Sequence, residues 1–164
     1  MKFKYVWPVI LVLILSGTPQ AAEQREALVL YKEPLFEIEG KRRPDCDALY
    51  DVKTGKDVSD MRDFRQYFCV GRYTLTLEGK KGTTVTLFGQ FNYKKGAGFM
   101  VIVKNDKRKI WLINLEDFPS GKWVNFKANR DTGAYQIYYK SVSRFSENIS
   151  SIQWGTWWKG KNPK

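Results

Sequence analysis

The sequence predicts an all-β protein: an antiparallel Greek-key sandwich of about eight or nine short strands with one short helix. Short runs of alternating apolar and polar residues recur along the chain, glycine-, asparagine- and aspartate-rich turn signals separate them, and only one stretch carries helical spacing. The stretch from Cys69 to Phe88 is the clearest. Tyr73, Leu75 and Leu77 alternate with Thr74 and Thr76, Glu78-Gly79-Lys80-Lys81-Gly82 forms a turn, and Val85 and Leu87 alternate with Thr84 and Thr86. This predicts a hairpin with its threonines in water.

The remaining elements follow in order. Lys2 and Lys4, the apolar run Val9 to Leu15 and the small-residue segment ending at Ala22 have the three-part layout of a secretory signal peptide over residues 1–22. The alternative, a retained anchor, runs against length, because a spanning helix needs about 20 apolar residues. Removing the two lysines lowers the net charge from +11 to +9. Residues 27–155 are then expected to form one domain, and 156–164 a basic aromatic tail.

Ala27 to Tyr31 and Leu35 to Gly40 read as strands. The charged loop Lys41-Arg42-Arg43-Pro44-Asp45-Cys46-Asp47 and a polar stretch to Val58 follow. Ser59 offers a cap for about two turns of helix, with Met61, Phe64 and Phe68 at helical spacing. Phe99 to Val103 and Lys109 to Leu115, separated by Asn105-Asp106-Lys107-Arg108, predict a second hairpin. Strands are also expected at Trp123 to Phe126, Ala134 to Tyr139 and Ser151 to Trp154, with Trp154 in phase with Ile152 and so directed to the core.

Export would place Cys46 and Cys69, the two cysteines, in an oxidising compartment. A disulfide between them is then favoured over two buried thiols, and could contribute roughly 3 kcal/mol by restricting the unfolded chain. The chain contains no histidine. This excludes Ser-His and Cys-His nucleophilic sites and leaves a two-cysteine metal site incomplete. The close carboxylate pairs Glu37/Glu39 and Asp45/Asp47 read as solvated surface acids, so no enzymatic activity is expected.

Two places resemble β/γ-crystallin Greek keys. Tyr31-Lys-Glu-Pro-Leu-Phe36 with Gly40, followed by Asp63 to Gly79, is similar to one key and the start of the next, which would open at Phe88-Gly89-Gln90-Phe91. Ser146-Glu147-Asn148-Ile149-Ser150-Ser151 is similar to the motif that ends a key in calcium-binding members. The resemblance implies a weak calcium site using Glu147, Asn148 and Ser150. It departs from the family at Gly40, two residues late, and at Ser146, and residues 99–133 have no counterpart in it.

Basic residues gather in turns (Lys41-Arg42-Arg43, Lys80-Lys81 with Lys94-Lys95, Lys104 with Lys107-Arg108-Lys109) and in the tail (Lys159, Lys161, Lys164). Trp157 and Trp158 beside Lys159 and Lys161 are expected to point apart in an extended chain, leaving one ring for a ligand. The expected function is non-enzymatic binding of an anionic polymer, glycan or envelope surface through Trp157, Trp158, Lys159, Lys161, Lys41, Arg42 and Arg43. No nucleic-acid specificity is indicated. A protein partner enters through two alternatives: a secreted inhibitor or toxin-like effector, or an accessory subunit of an envelope complex.

Overall fold

A computed structural model describes residues 27–34, 49–62 and 71–163. Nine strands are present among these residues: β1 (Ala27–Pro34), β2 (Leu49–Lys53), β3 (Gly71–Leu77), β4 (Thr84–Phe88), β5 (Phe99–Lys104), β6 (Ile110–Leu112), β7 (Trp123–Phe126), β8 (Tyr135–Lys140) and β9 (Ser151–Trp154). They form two antiparallel sheets, one of order β2-β1-β3-β6 and one of order β7-β8-β5-β4-β9. The protein is an all-β Greek-key sandwich.

The inward residues of both sheets follow the two-residue period. Leu28 and Leu30 of β1 face Val52, Leu75 and Leu77 within the first sheet. Val85, Leu87, Met100, Ile102, Ile137 and Ile152 supply the facing layer from the second. Each such side chain, fully removed from water, contributes roughly 1.5–3 kcal/mol.

The strand partners differ from those the sequence suggests. The Cys69 to Phe88 stretch is not a hairpin, because β3 pairs with β1 and β6 while β4 pairs with β5 and β9. Residues 78–83 are a corner crossing between sheets. The same holds for 105–109, since β5 lies between β4 and β8 while β6 joins β3 in the other sheet. With both sides of β3 and of β4 already occupied, neither has an edge to offer the other. The threonines are correspondingly buried: Thr74 and Thr76 on β3 and Thr86 on β4 are nearly inaccessible, and only Thr84 is part-exposed.

Within this arrangement two four-part units exchange a segment. In the first, β1 pairs with β2 and β3, while Val58 crosses to make a two-bond bridge with Ile152 of β9 (2.8 Å each way). In the second, β4 pairs with β5 and β9, while β6 crosses to pair with β3. Each unit's third segment therefore completes the other unit's sheet. The β7–β8 hairpin is inserted between the third and fourth parts of the second unit and extends the sheet beyond β5.

Strand β2 falls in a stretch whose polarity suggested a loop; Val52 goes inward while Asp51 and Lys53 remain in water. The expected strand Leu35 to Gly40 lies outside the described residues. So does most of the expected helix. At its start Asp60, not Ser59, accepts the Arg62 backbone N–H through Oδ1 (2.9 Å), and Met61 is fully buried. Cys46 and Cys69 also lie outside the described residues.

Candidate functional site

The C-terminal tail is folded onto the outer face of the five-stranded sheet. After β9, Gly155 donates its N–H to the Thr84 carbonyl (2.9 Å), which turns the chain back across β4. The Trp157 indole N–H donates to Thr86 Oγ1 (2.9 Å), and its ring meets Phe88 at 5.8 Å and Phe99 at 5.6 Å between centroids. Trp158 lies 5.9 Å from Trp123, which packs edge-on against Tyr138 and donates its indole N–H to the Lys161 carbonyl (3.1 Å). These rings and Tyr93 cover Val101 and the outward side chains of β4, β5 and β8 as a second apolar cluster, separate from the core between the sheets.

Trp157 and Trp158 do not point apart. They meet edge-to-face at 5.7 Å, both half-buried on one sheet face, because the sheet beneath offers a continuous aromatic surface to both. Trp154, by contrast, packs at the margin of the core. Its indole N–H donates to the Lys56 carbonyl (3.1 Å) and its backbone N–H to Asp57 Oδ1 (2.7 Å).

None of β4, β5, β7, β8 and β9, nor the tail from Gly155 to Lys164, contains an acidic residue. The acid beside them among the described residues, Asp57 near Gly155 and Thr156, accepts the Trp154 backbone N–H (2.7 Å). Lys95 places its ammonium over the Trp157 ring, 5.1 Å from the centroid, and Lys159 and Lys161 project from the tail in exposed positions. Lys94 and Lys95 follow the short 3-10 turn after β4, and Lys80, in the corner before β4, lines a shallow cleft with Trp154, Gly155 and Thr156. Lys41, Arg42 and Arg43 lie outside the described residues.

Lys104 is not a surface cation. It is almost fully buried at the end of β5, and its ammonium donates to the carbonyls of Leu77 (3.3 Å) and Arg108. Burial lowers its pKa below the ordinary lysine range, partly opposed by Asp106 and Glu78. Lys109 is engaged by Glu78 (2.9 Å), and Arg108 donates to the Arg130 carbonyl (2.9 Å).

Glu147, Asn148 and Ser150 lie together at the short 3-10 turn Phe145–Glu147 and just after it. The Glu147 carboxylate accepts two bonds from the Arg144 guanidinium (2.8 and 2.6 Å). The Asn148 amide donates to the Arg144 carbonyl (2.7 Å), and Ser150 Oγ donates to the Asn148 carbonyl (2.7 Å). A cation would have to compete with Arg144 for the Glu147 carboxylate, and the neighbouring Glu116 carboxylate already accepts from the Ser146 N–H and hydroxyl (2.7 Å each). No cluster of three or more acidic, cysteine or histidine side chains able to hold a metal occurs among the described residues. No family model matches the chain, and no curated protein or solved structure matches it either.

Sequence reasoning missed Trp111 and Ile113, which are 56% and 70% exposed on and just after the edge strand β6. The run KIWLINL reads as uniformly apolar. Its period-two phase held the signal: with Ile110 and Leu112 inward, Trp111 and Ile113 must face out.

Proposed function

We propose that the protein is an exported, non-enzymatic binding module that takes a polyanionic partner, an acidic glycan or a similarly charged envelope polymer, on the outer face of its five-stranded sheet. One observation carries this reading: a sheet and tail without acidic residues present half-buried indoles framed by Lys95, Lys159 and Lys161. Indole faces supply contact area to sugar rings, and lysines supply a field that attracts anionic groups. The signal-like residues 1–22 support export, and export favours a Cys46–Cys69 disulfide. The paired units with exchanged third segments support the β/γ-crystallin-like reading. In it, the β7–β8 hairpin is an insertion that accounts for much of the stretch without a counterpart.

The test is salt-gradient elution from heparin and alginate gels. Lys159→Glu/Lys161→Glu is expected to elute at clearly lower salt than wild type, and Trp158→Ala to weaken retention at fixed salt. Lys53→Glu/Arg72→Glu, an equal charge change on the four-stranded sheet, is expected to have a smaller effect. Equal shifts for the two charge-reversed proteins would show that net charge alone is responsible and would reject the assigned face.

A further inference from the structure

A second, chemically different cleft lies where the loop of the inserted hairpin meets the edge strand β6. A cleft of about 540 Å³ opens there between Trp111 and Ile113 on one side and Asn129, Asp131 and Thr132 on the other, with Tyr135 beneath. Its volume falls within the range of small-ligand sites, roughly 300–1,000 Å³.

The wall is built rather than loose. Asn129 Oδ1 accepts the backbone N–H groups of Asp131 (2.9 Å) and Thr132 (3.0 Å), and the Asn129 N–H donates to the Thr132 carbonyl (3.0 Å). Thr132 Oγ1 accepts the Trp111 backbone N–H (3.0 Å), and Gly133 N–H donates to the Lys109 carbonyl (2.8 Å), which fastens the loop to β6. A side chain at Gly133 would bring its Cβ to 2.5 Å from Asp106 Oδ1 and 2.6 Å from the Arg108 carbonyl, so the close approach requires glycine. These bonds occupy Asn129 Oδ1. They leave its amide N–H₂ and the Asp131 carboxylate without hydrogen bonds or ion pairs among the described residues.

The chemistry of the lining selects the ligand. In a chain of net charge +11, no lysine or arginine among the described residues lines this cleft, and Asp131 is the one ionisable carboxylate among them that does. An anionic ligand finds no counter-charge here. The Trp111 ring packs against no other aromatic ring among the described residues and presents an open face. Beside it stand a free two-donor amide and a free carboxylate acceptor, a pairing that suits vicinal hydroxyls, which both accept and donate. We infer that this cleft binds an uncharged sugar ring, stacked on Trp111 and hydrogen-bonded by Asn129 and Asp131.

This site is independent of the polyanion face, and the experiment separates the two. Calorimetric titration with neutral hexasaccharides of glucose, mannose, xylose and N-acetylglucosamine is run in about 0.5 M NaCl, where contacts between exposed charges are largely screened. At least one sugar is expected to bind wild type and Lys159→Glu/Lys161→Glu alike. Trp111→Ala is expected to lose roughly tenfold or more in affinity, as truncated aromatic anchors do, and Asp131→Ala to weaken binding with an unchanged melting temperature. Because Trp111 is exposed, the variant should fold, and its circular dichroism and melting curve verify this. No binding by folded wild type to any of the four sugars, or binding that Trp111→Ala leaves intact, overturns the assignment.

Discussion

The Lys104 ammonium donates to two carbonyls, those of Leu77 and Arg108, at the places where the chain leaves one sheet for the other. Leu77 ends β3 and Arg108 lies in the corner before β6; buried carbonyls at such ends need donors, and a long side chain at the end of β5 reaches both. Burial disfavours its charged form, so the folded protein releases this proton at a lower pH than the unfolded chain. Between the two values unfolding takes up a proton, and stability from this group rises with pH. The rise ends where tyrosines titrate: burial raises the pKa values of Tyr50, Tyr135 and Tyr139, so the unfolded chain ionises first and stability then falls. Urea midpoints measured from about pH 7 to about pH 11 are therefore expected to pass through a maximum. Lys104→Met keeps the stem but removes the donors. It is expected to flatten the rising limb and to cost about 1–3 kcal/mol at neutral pH; an unchanged limb would assign the pH dependence to other groups. Gly89 offers a second test at this scale, because a Cβ there would lie 2.0 Å from the Ala97 carbonyl oxygen. Gly89→Ala is expected to cost about 3 kcal/mol, measured as a reduced urea midpoint at constant m-value, by forcing apart the loop that joins β4 to β5.

At the level of elements, the tail acts as part of the sheet. Trp157 is held by one hydrogen bond to Thr86 and by ring contacts to Phe88 and Phe99, and Trp158 by Trp123. Trp157→Ala is expected to lower stability by about 3 kcal/mol, the low end of the range for aromatic truncation because the ring is only half-buried. Thr86→Val, which removes the acceptor and keeps the shape, should cost about 1 kcal/mol. Loss of folding free energy in chemical denaturation measures both, and a neutral Trp157→Ala would mean that the tail merely rests on the sheet. The tail also shows what the sequence does and does not contain. Short apolar runs and period-two alternation, bounded by turn signals, identified most of the described strands, because burial demands apolar side chains whatever the neighbouring strand. These signals carried no information on which strand lies alongside. Glu78 to Gly82 therefore looked like a hairpin turn although both β3 and β4 were already paired on each side. The buried Thr74, Thr76 and Thr86 added to this, since a threonine on a strand reads as solvent-facing until something covers it. For Thr86 the cover is Trp157, 71 positions later. The cleft at Trp111 was hidden for a similar reason: one wall is β6 and the other is a loop near residue 130, which only tertiary pairing brings together.

At the scale of the whole molecule, the exchanged segments decide how the protein unfolds. If each Greek-key unit kept its own third segment, the halves could melt separately. Here β6 of the second unit closes the edge of β3 in the first, and Val58 of the first closes the edge of β9 in the second through two backbone bonds. The inter-sheet core draws on both units: Leu28, Leu75 and Leu77 come from one, Val85, Met100 and Ile152 from the other. Opening either unit would strip the partner sheet of an edge and expose half of a shared apolar layer, a cost too large to leave a stable half behind. Thermal unfolding is therefore expected to be one transition, with calorimetric and van't Hoff enthalpies in agreement. Near-ultraviolet signals from the aromatic tail should change together with the far-ultraviolet signal of the strands. Weakening the exchange at a single point, by Val58→Gly, should lower the melting temperature of the whole transition without dividing it. Two resolved transitions in that variant or in wild type would show that the units are energetically separate and that their strand exchange does not couple them.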